Sequence, residues 1–198
     1  MSDGTIHLAH RSGSPVGVGA STTALWMDTN GKLQATQSSG SSSGMGMYSA
    51  YALFQDQKAA NTAGGTFTQD AWRTRDLNVE VVDTGNIASV ASNQVTLEAG
   101  TYYFRSSAPT FGTSQNIMRL YDTTATAEIT RGQTYLAPVL HDVLTVTDVF
   151  GRFTIGVQSV LEVQHYCNAT YETLGFGIAK NIDSHVEIFA SIEFWKEV

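Results

Sequence analysis

Charge is scarce in this sequence. Charged residues make up 15% of its 198 residues, well under the usual quarter, and the balance leans acidic, with a formal net charge of -7. No basic stripe is available to neutralise a phosphate backbone, so no nucleic-acid partner is expected. Cysteine is reduced to Cys167, which leaves no internal disulfide and no multi-cysteine zinc site, and its apolar neighbours predict a packed thiol. Long apolar runs are missing too. No stretch is long enough to span a bilayer, and Met1 to Arg11 lacks the basic-then-apolar order of a signal peptide. The expectation is a chain made and kept soluble in a cytoplasm, without membrane insertion. A helical period is absent as well: nowhere do apolar residues recur at i, i+3, i+4, i+7 over ten or so positions.

The patterns that carry catalysis are also wanting. His7, His10, His141, His165 and His185 are scattered, and none stands in His-Glu-x-x-His or a comparable ligand spacing. His165 and Cys167 fall on one face of a strand, where a core-lining pair is the expected role. Gly17-Val-Gly19 has neither a preceding strand nor a following Lys-Ser/Thr, and no Gly-x-Ser-x-Gly elbow occurs. Asp142 with Asp148, or Asp122 with Glu128, could form a glycosidase-type carboxylate pair, but acidic residues at strand ends and loops are ordinarily solvated. Asn168-Ala-Thr170 matches a glycosylation acceptor at chance level. No catalytic residue, metal or cofactor is expected.

What is present suits strands and turns: 42% hydrophobic residues, 10% aromatics and 18 glycines. The length holds one ordinary domain with a short appendage. Gln37 to Gly46 is almost all Gly and Ser and reads as a flexible linker, dividing an N-terminal segment 1–36 from a domain 47–198. Within the first segment, Ala24 to Asp28 and Lys32 to Ala35 flank Thr29-Asn-Gly31, a hairpin too small to stand alone. Such a piece docks onto something else.

Beyond the linker, short apolar runs recur between turn signals at the spacing of a sandwich or jelly roll. Strands are expected near Met47 to Gln55, Gly65 to Thr68, Trp72 to Val82, Gln94 to Leu97, Thr101 to Ser107, Ile117 to Asp122 and Thr126 to Arg131. Later ones are expected near Val143 to Val149, Arg152 to Val157, Leu161 to Cys167, Gly175 to Ile178 and His185 to Lys196. Alternation turns Val186, Ile188, Ala190, Ile192 and Phe194 inward, with Glu187, Ser191 and Glu193 outward. In Leu161 to Cys167 the inward set is Leu161, Val163, His165 and Cys167. Ala108 to Asn116 and Gln133 to Asp142 read as small, polar loops.

Taken in order, these segments resemble the C1q/TNF-like jelly-roll domains of structural proteins in tailed bacteriophages and related particles. Ala71-Trp-Arg-Thr-Arg-Asp-Leu-Asn78 looks like their early strand, and Leu97-Glu-Ala-Gly-Thr-Tyr-Tyr-Phe104 like their Leu-x-x-Gly-x-Tyr-x-Phe strand. Met118 to Asp122, Leu161 to Tyr166 and Glu187 to Lys196 look like the later ones. His10 to Pro15 with Leu25 to Asp28 is similar to the leading hairpin of many phage fibre proteins. The resemblance implies an all-β jelly roll that assembles as a homotrimer in a virion, made in a host cytoplasm and attached through residues 1–36 to other virion proteins. Tyr102, Tyr103, Phe104, His165, Tyr166, Phe189 and Trp195 are the candidates for core or trimer packing. Tyr121, Tyr135 and His141, placed on distal loops, are the candidates for stacking against a host cell-surface glycan or protein. The expected function is a fibre or spike on head or tail. The alternatives are a decoration or joining protein that only stabilises the particle and, behind it, a glycan hydrolase. Collagen repeats, which precede the vertebrate C1q domains, are absent.

Overall fold

The computed structural model describes residues 10–11, 24–30, 33–36, 42–44, 47–139 and 143–198. The chain divides into two compact units, Met1–Met47 and Tyr48–Val198, and every regular element among the described residues is a strand.

In the first unit, β1 (His10–Arg11), β2 (Ala24–Asp28), β3 (Leu33–Thr36) and β4 (Ser42–Gly44) form a sheet in that order. β2 and β3 are the expected hairpin, antiparallel with Met27 opposite Leu33. Asp28 shapes its turn: Oδ1 accepts from the Asn30 amide at 3.0 Å, and Oδ2 accepts from Gln34 Nε2 at 3.2 Å. The Gly/Ser stretch 37–46, expected as linker throughout, departs from that expectation at Ser42–Gly44, which pairs antiparallel with β3. Strand pairing uses only backbone groups, so residues with little side chain can still extend an open edge.

The second unit contains β5 (Tyr48–Lys58), β6 (Arg73–Thr74), β7 (Val79–Asp83), β8 (Ala88–Ala91), β9 (Gln94–Leu97), β10 (Gly100–Phe111), β11 (Ser114–Asp122), β12 (Ala127–Ala137), β13 (Leu144–Ile155), β14 (Ser159–Cys167) and β15 (Glu187–Glu197). One sheet runs β13-β10-β15-β5-β7; the other runs β12-β11-β14-β9-β8, with β6 added on β14. Most neighbours within a sheet are distant in sequence, so the chain crosses repeatedly between the two layers, which is the jelly-roll path. At Gly132 on β12, a Cβ would lie 2.1 Å from the Asp148 carbonyl oxygen on β13. Only glycine lets these two strands approach so closely, and they are the edge strands of the two different sheets.

Several expected elements change. Gly65 to Thr68 and Gly175 to Ile178 form no strand. Their loops are laced together by backbone bonds from Gly64 N to Gly177 O (2.9 Å) and from Phe176 N to Gly65 O (3.0 Å), and Phe67 makes one bridge to Tyr171. Val143 to Val149 and Arg152 to Val157 fuse into β13, while Trp72 to Val82 breaks into β6 and β7. β8 was not anticipated; it joins β9 through Ser92 and Asn93, whose φ angles of 52° and 66° make the primed turn that hairpins favour. The loop expected at Ala108 to Asn116 shrinks to a tight turn. Gly112 has φ +63° there, and a Cβ would lie 2.4 Å from the Tyr171 ring. β12 likewise continues to Ala137 through the region read as loop.

The core lies between the sheets. Ala52, Phe54, Tyr102, Phe104, Val149, Ile192 and Phe194 from one layer meet Val95, Leu97, Met118, Leu120, Leu161 and Val163 from the other. Tyr102, Phe104, Phe153 and Phe194 make an aromatic knot with ring centroids 5.6 to 6.5 Å apart. Each such ring, once buried, contributes about 1.5–3 kcal/mol. On β15 the inward set holds for Ala190, Ile192 and Phe194 but fails at the strand's start. Val186 and Ile188 are exposed, and Phe189, only 4% exposed, is buried instead. The pairing with β5 slips between Ile188 opposite Gln57 and Ala190 opposite Asp56, so Phe189 is the extra residue of a bulge and reverses the faces before it.

Candidate assembly surface

Strand alternation lays out the outer face of the five-stranded sheet in rows. Arg152, Tyr103, Trp195 and Tyr51 stand side by side, and next to them Phe150, Arg105, Glu193 and Leu53. The Trp195 ring lies 5.4 Å from Tyr51, 5.8 Å from Tyr103 and 6.5 Å from Tyr48. Tyr51 Oη donates to Glu193 Oε2 at 3.3 Å, and the charge and burial there push its pKa up, burial being the larger cause. Phe150 is 53% exposed.

Along the same face, toward the β15 bulge, the surface becomes aliphatic. Two adjoining clefts of about 420 and 250 Å³ share Pro109, Leu144, Ile188 and Phe189. Val146, 55% exposed, lines one, and Ile182, 71% exposed, lines the other. Leu136, Val139 and Val143, around the β12–β13 connection, are exposed as well. Isolated surface aliphatics are ordinary; a continuous groove of them is the mark of a surface that something covers.

The sequence-predicted residues separate by depth. Tyr102, Phe104 and His165 are buried in the single chain and serve as core residues, while Phe189, almost wholly buried, also lines both clefts. Tyr102 Oη donates to the Glu98 carbonyl at 2.9 Å, and burial pushes its pKa up to about 12. Tyr103 and Trp195 belong to the outer face just described. Tyr166 faces out from the other sheet, its ring 5.6 Å from Trp72. Tyr121 and Tyr135 lie on strands β11 and β12, not on loops. Tyr121 pairs with Glu128 and Tyr135 with Asn116, at opposite ends of the β11–β12 pairing, so no one loop site holds both. Tyr135 Oη is engaged, donating to Asp148 Oδ1 at 2.8 Å. His141 and Asp142 lie outside the described residues.

One end of the interior is polar. His165 Nε2 is 3.1 Å from Asn116 Oδ1, which also accepts from Thr147 Oγ1, and Nδ1 has no partner among the described residues. Burial, then the nearby Arg75 charge, hold the imidazole well below its usual pKa, so it is neutral. Arg75 is fully buried. It donates to the carbonyls of Phe176 (2.9 Å), Pro109 (3.2 Å) and Phe189 (3.4 Å), and its guanidinium sits 4.1 Å from the Phe176 ring centroid. Burial lowers its pKa to about 10, so it stays charged. Sequence reasoning passed over Arg75, although its two-residue spacing from Leu77 places both on the inward face. The Cys167 thiol is buried and pushed up to about 11, a packed and unreactive thiol. Of the suggested carboxylates, Asp122 caps a turn by accepting from Ala125 N at 2.9 Å, and Glu128 is bound to Arg131 and Arg119 at 2.8 and 3.3 Å. Among the described residues, no three His, Cys, Asp or Glu side chains are grouped to hold a metal.

Two sheets, a jelly-roll path and an aromatic core define an all-β sandwich. No family model matches the chain, and no curated protein does. Solved structures do match. Eiger TNF from S. frugiperda aligns with a TM-score of 0.51 and 10% identity over 75% of this chain and 92% of that one. The globular domain of zebrafish complement 1qA protein gives 0.46 and 12% over 75% and 96%. The PRD1 vertex protein P5 gives 0.48 and 14% over 77% and 100%. At such identities the likeness is one of fold alone.

Proposed function

We propose that this chain is a non-enzymatic structural component of a virus particle, a homotrimeric fibre or spike that adheres to host-surface material. Its jelly-roll units join through the outer face of the five-stranded sheet, and residues 1–36 attach it to other virion proteins. The observation that carries the assembly is the continuous apolar groove and aromatic face on one side of an otherwise acidic chain. Cyclic closure covers that patch in every copy and leaves none over, whereas an open arrangement would keep adding chains. The phage setting is supported by the ordered likeness of Leu97 to Phe104 and Glu187 to Lys196 to the C1q/TNF-like domains of phage structural proteins, and by the small leading hairpin, similar to that of many phage fibre proteins.

Light scattering on the purified chain tests the assembly. At micromolar concentration the mass is expected to be three times that of one chain, and Val146→Asp with Phe150→Arg is expected to reduce it to one. A monomeric wild type would remove the assembly. Deleting residues 1–36 is expected to leave the trimer mass intact and to abolish incorporation into particles; deleted protein that still incorporates would place the anchor elsewhere.

A further inference from the structure

We propose that the outer face of the six-stranded sheet is a carbohydrate-binding platform centred on Trp72, Arg119 and Tyr121. This deepens the adhesive half of the function above by naming a site and a ligand class. Met118, Leu120, Leu161 and Val163 are buried in the core, so the alternate residues on β11 and β14 face outward. Arg119 lies opposite Gln164 and Tyr121 opposite Glu162, while β12 sets Arg131 beside Arg119 and Glu128 beside Tyr121.

These side chains hold one another in place. The Arg119 guanidinium is clasped between the Trp72 ring at 4.1 Å and the Tyr121 ring at 4.5 Å, and that of Arg131 stands 5.6 Å from Trp72. Arg119 Nε donates to Gln164 Oε1 at 2.8 Å, and Gln164 Nε2 donates to Glu162 Oε2 at 2.6 Å. Glu162 also accepts from Gln94 at 2.7 Å and from Thr74 at 2.9 Å. Side chains locked by mutual bonds on a rigid sheet are preorganised for a ligand.

Trp72 is brought to this face by a loop rather than a strand, and the loop is tied down. Asp70 has φ +60°, a backbone state that costs a non-glycine residue and persists only where surroundings enforce it. Gln69 N donates to Thr170 Oγ1 at 3.1 Å, Thr170 N returns a bond to Gln69 Oε1 at 3.2 Å, and Tyr166 Oη donates to Asp70 Oδ1 at 3.3 Å. The indole is thus held over the sheet, not tucked into the core.

A pyranose presents an apolar C–H face, which packs on aromatic rings, and a rim of hydroxyls that need donors and acceptors together. The platform supplies both: half-buried indole and phenol rings, each with one face against the Arg119 guanidinium and the rest of the ring left to a sugar, and amide and carboxylate groups around them. Arg119 and Arg131 are offset by Glu128 and Glu162, so the patch has no excess positive charge to draw a phosphate polymer. Nor does it carry the aliphatic groove of the opposite sheet, which fits a protein partner. The competing account is a stack that only shields an exposed sheet and binds nothing.

Affinity electrophoresis of the full chain decides between them, with dextran, mannan, galactan and the O-polysaccharide of bacterial lipopolysaccharide cast into native gels. Wild type is expected to be retarded by at least one. Trp72→Ala and Tyr121→Ala are expected to weaken that retardation at least tenfold, with particle mass and melting temperature unchanged. Should Trp72→Ala loosen the fold, Tyr121→Ala and Gln164→Ala, both on strands, decide the matter. Retardation by none of the four, or equal retardation of folded variants, overturns the platform. A trimer that binds nothing refutes the platform and leaves the assembly standing, and a retarded monomer refutes the assembly alone.

Discussion

Lowering the pH from 7 to 5 protonates histidine in the unfolded chain well before it can protonate His165 in the folded one. The folded-state pKa is depressed by burial and by the Arg75 charge, so below the unfolded value of about 6.5 the unfolded chain binds more protons. Stability contributed by the neutral imidazole is therefore fully present above pH 6.5 and is lost as the pH falls. The slope approaches about 1.4 kcal/mol per pH unit until the folded-state pKa is reached. The ring faces Asn116 and Phe67, with no carboxylate bonded to it among the described residues, so a proton there would be a second buried cation near Arg75. Urea unfolding of wild type and His165→Gln at pH 7, 6 and 5 isolates the effect. Glutamine keeps a polar contact to Asn116 but does not titrate, and is expected to cost about 1–2 kcal/mol at pH 7. The wild-type advantage then shrinks as the pH falls. Glu128, Glu187 and Glu197, whose pKa values are lowered by their hydrogen bonds, lose their contribution only below about pH 4.5 and do so equally in both proteins. An advantage of equal size at all three pH values would show that His165 is not buried neutral.

On β15, Ile192→Asp puts an unpartnered carboxylate between Phe54 and Ser106 on the adjoining strands and is expected to unfold the domain in a thermal melt, since the penalty of several kcal/mol rivals the whole stability margin. Glu193→Gln, on the other face, is expected to change stability by about 0.5 kcal/mol or less; the reverse order would put the strand out of register by one. At the bulge, Phe189→Ala is expected to cost about 3–5 kcal/mol, while Ile188→Ser costs the fold about 0.5 kcal/mol or less. Melts that ranked Ile188 above Phe189 would place the extra residue elsewhere.

How far the sequence could be read follows from what each element depends on. Gln94–Leu97 was legible to the residue because its flanks, Ser92-Asn93 and Gly100, are local signals, and β14 because Leu161, Val163, His165 and Cys167 alternate without interruption. The start of β15 was not legible: Val186 and Ile188 obey the same parity as Ile192, and only the slipped pairing with β5 turns them out. Tyr135 was misplaced for a related reason. Its surroundings are small and polar enough to read as loop, yet backbone pairing with a neighbouring strand decides, and it draws Tyr135 into β12, while Tyr121 lies in β11, the strand expected at Ile117 to Asp122. The assembly groove left no local trace, since Pro109, Leu144, Ile182 and Ile188 come from distant parts of the chain.

The two outer faces of the sandwich differ in how they settle with water, and that difference orders the proposed roles. On the six-stranded sheet a connected run of outward polar groups is bonded one to the next, from Thr74 through Glu162, Gln164 and Arg119 to Glu128 and Arg131. Such a face is stable in solvent and gains little from being buried against a protein surface. Val146, Phe150 and Ile188 on the five-stranded sheet, and Ile182 on the loop before β15, have no such network and stay exposed in the single chain. Burying them releases about 25 cal/mol for each Å² of apolar surface removed from water, so the proposed association would run through that face and not through the other. A trimer closed on the five-stranded sheets would turn its three six-stranded sheets outward, presenting Trp72 and Tyr121 three times, once on each. Three weak sites on one rigid body engage a repetitive polymer together, and avidity of that kind can exceed the single-site affinity by about 10² or more. Dispersing the trimer with Val146→Asp and Phe150→Arg should therefore weaken polysaccharide retention by a similar factor while leaving each platform intact; retention that is indifferent to assembly would separate the two surfaces functionally.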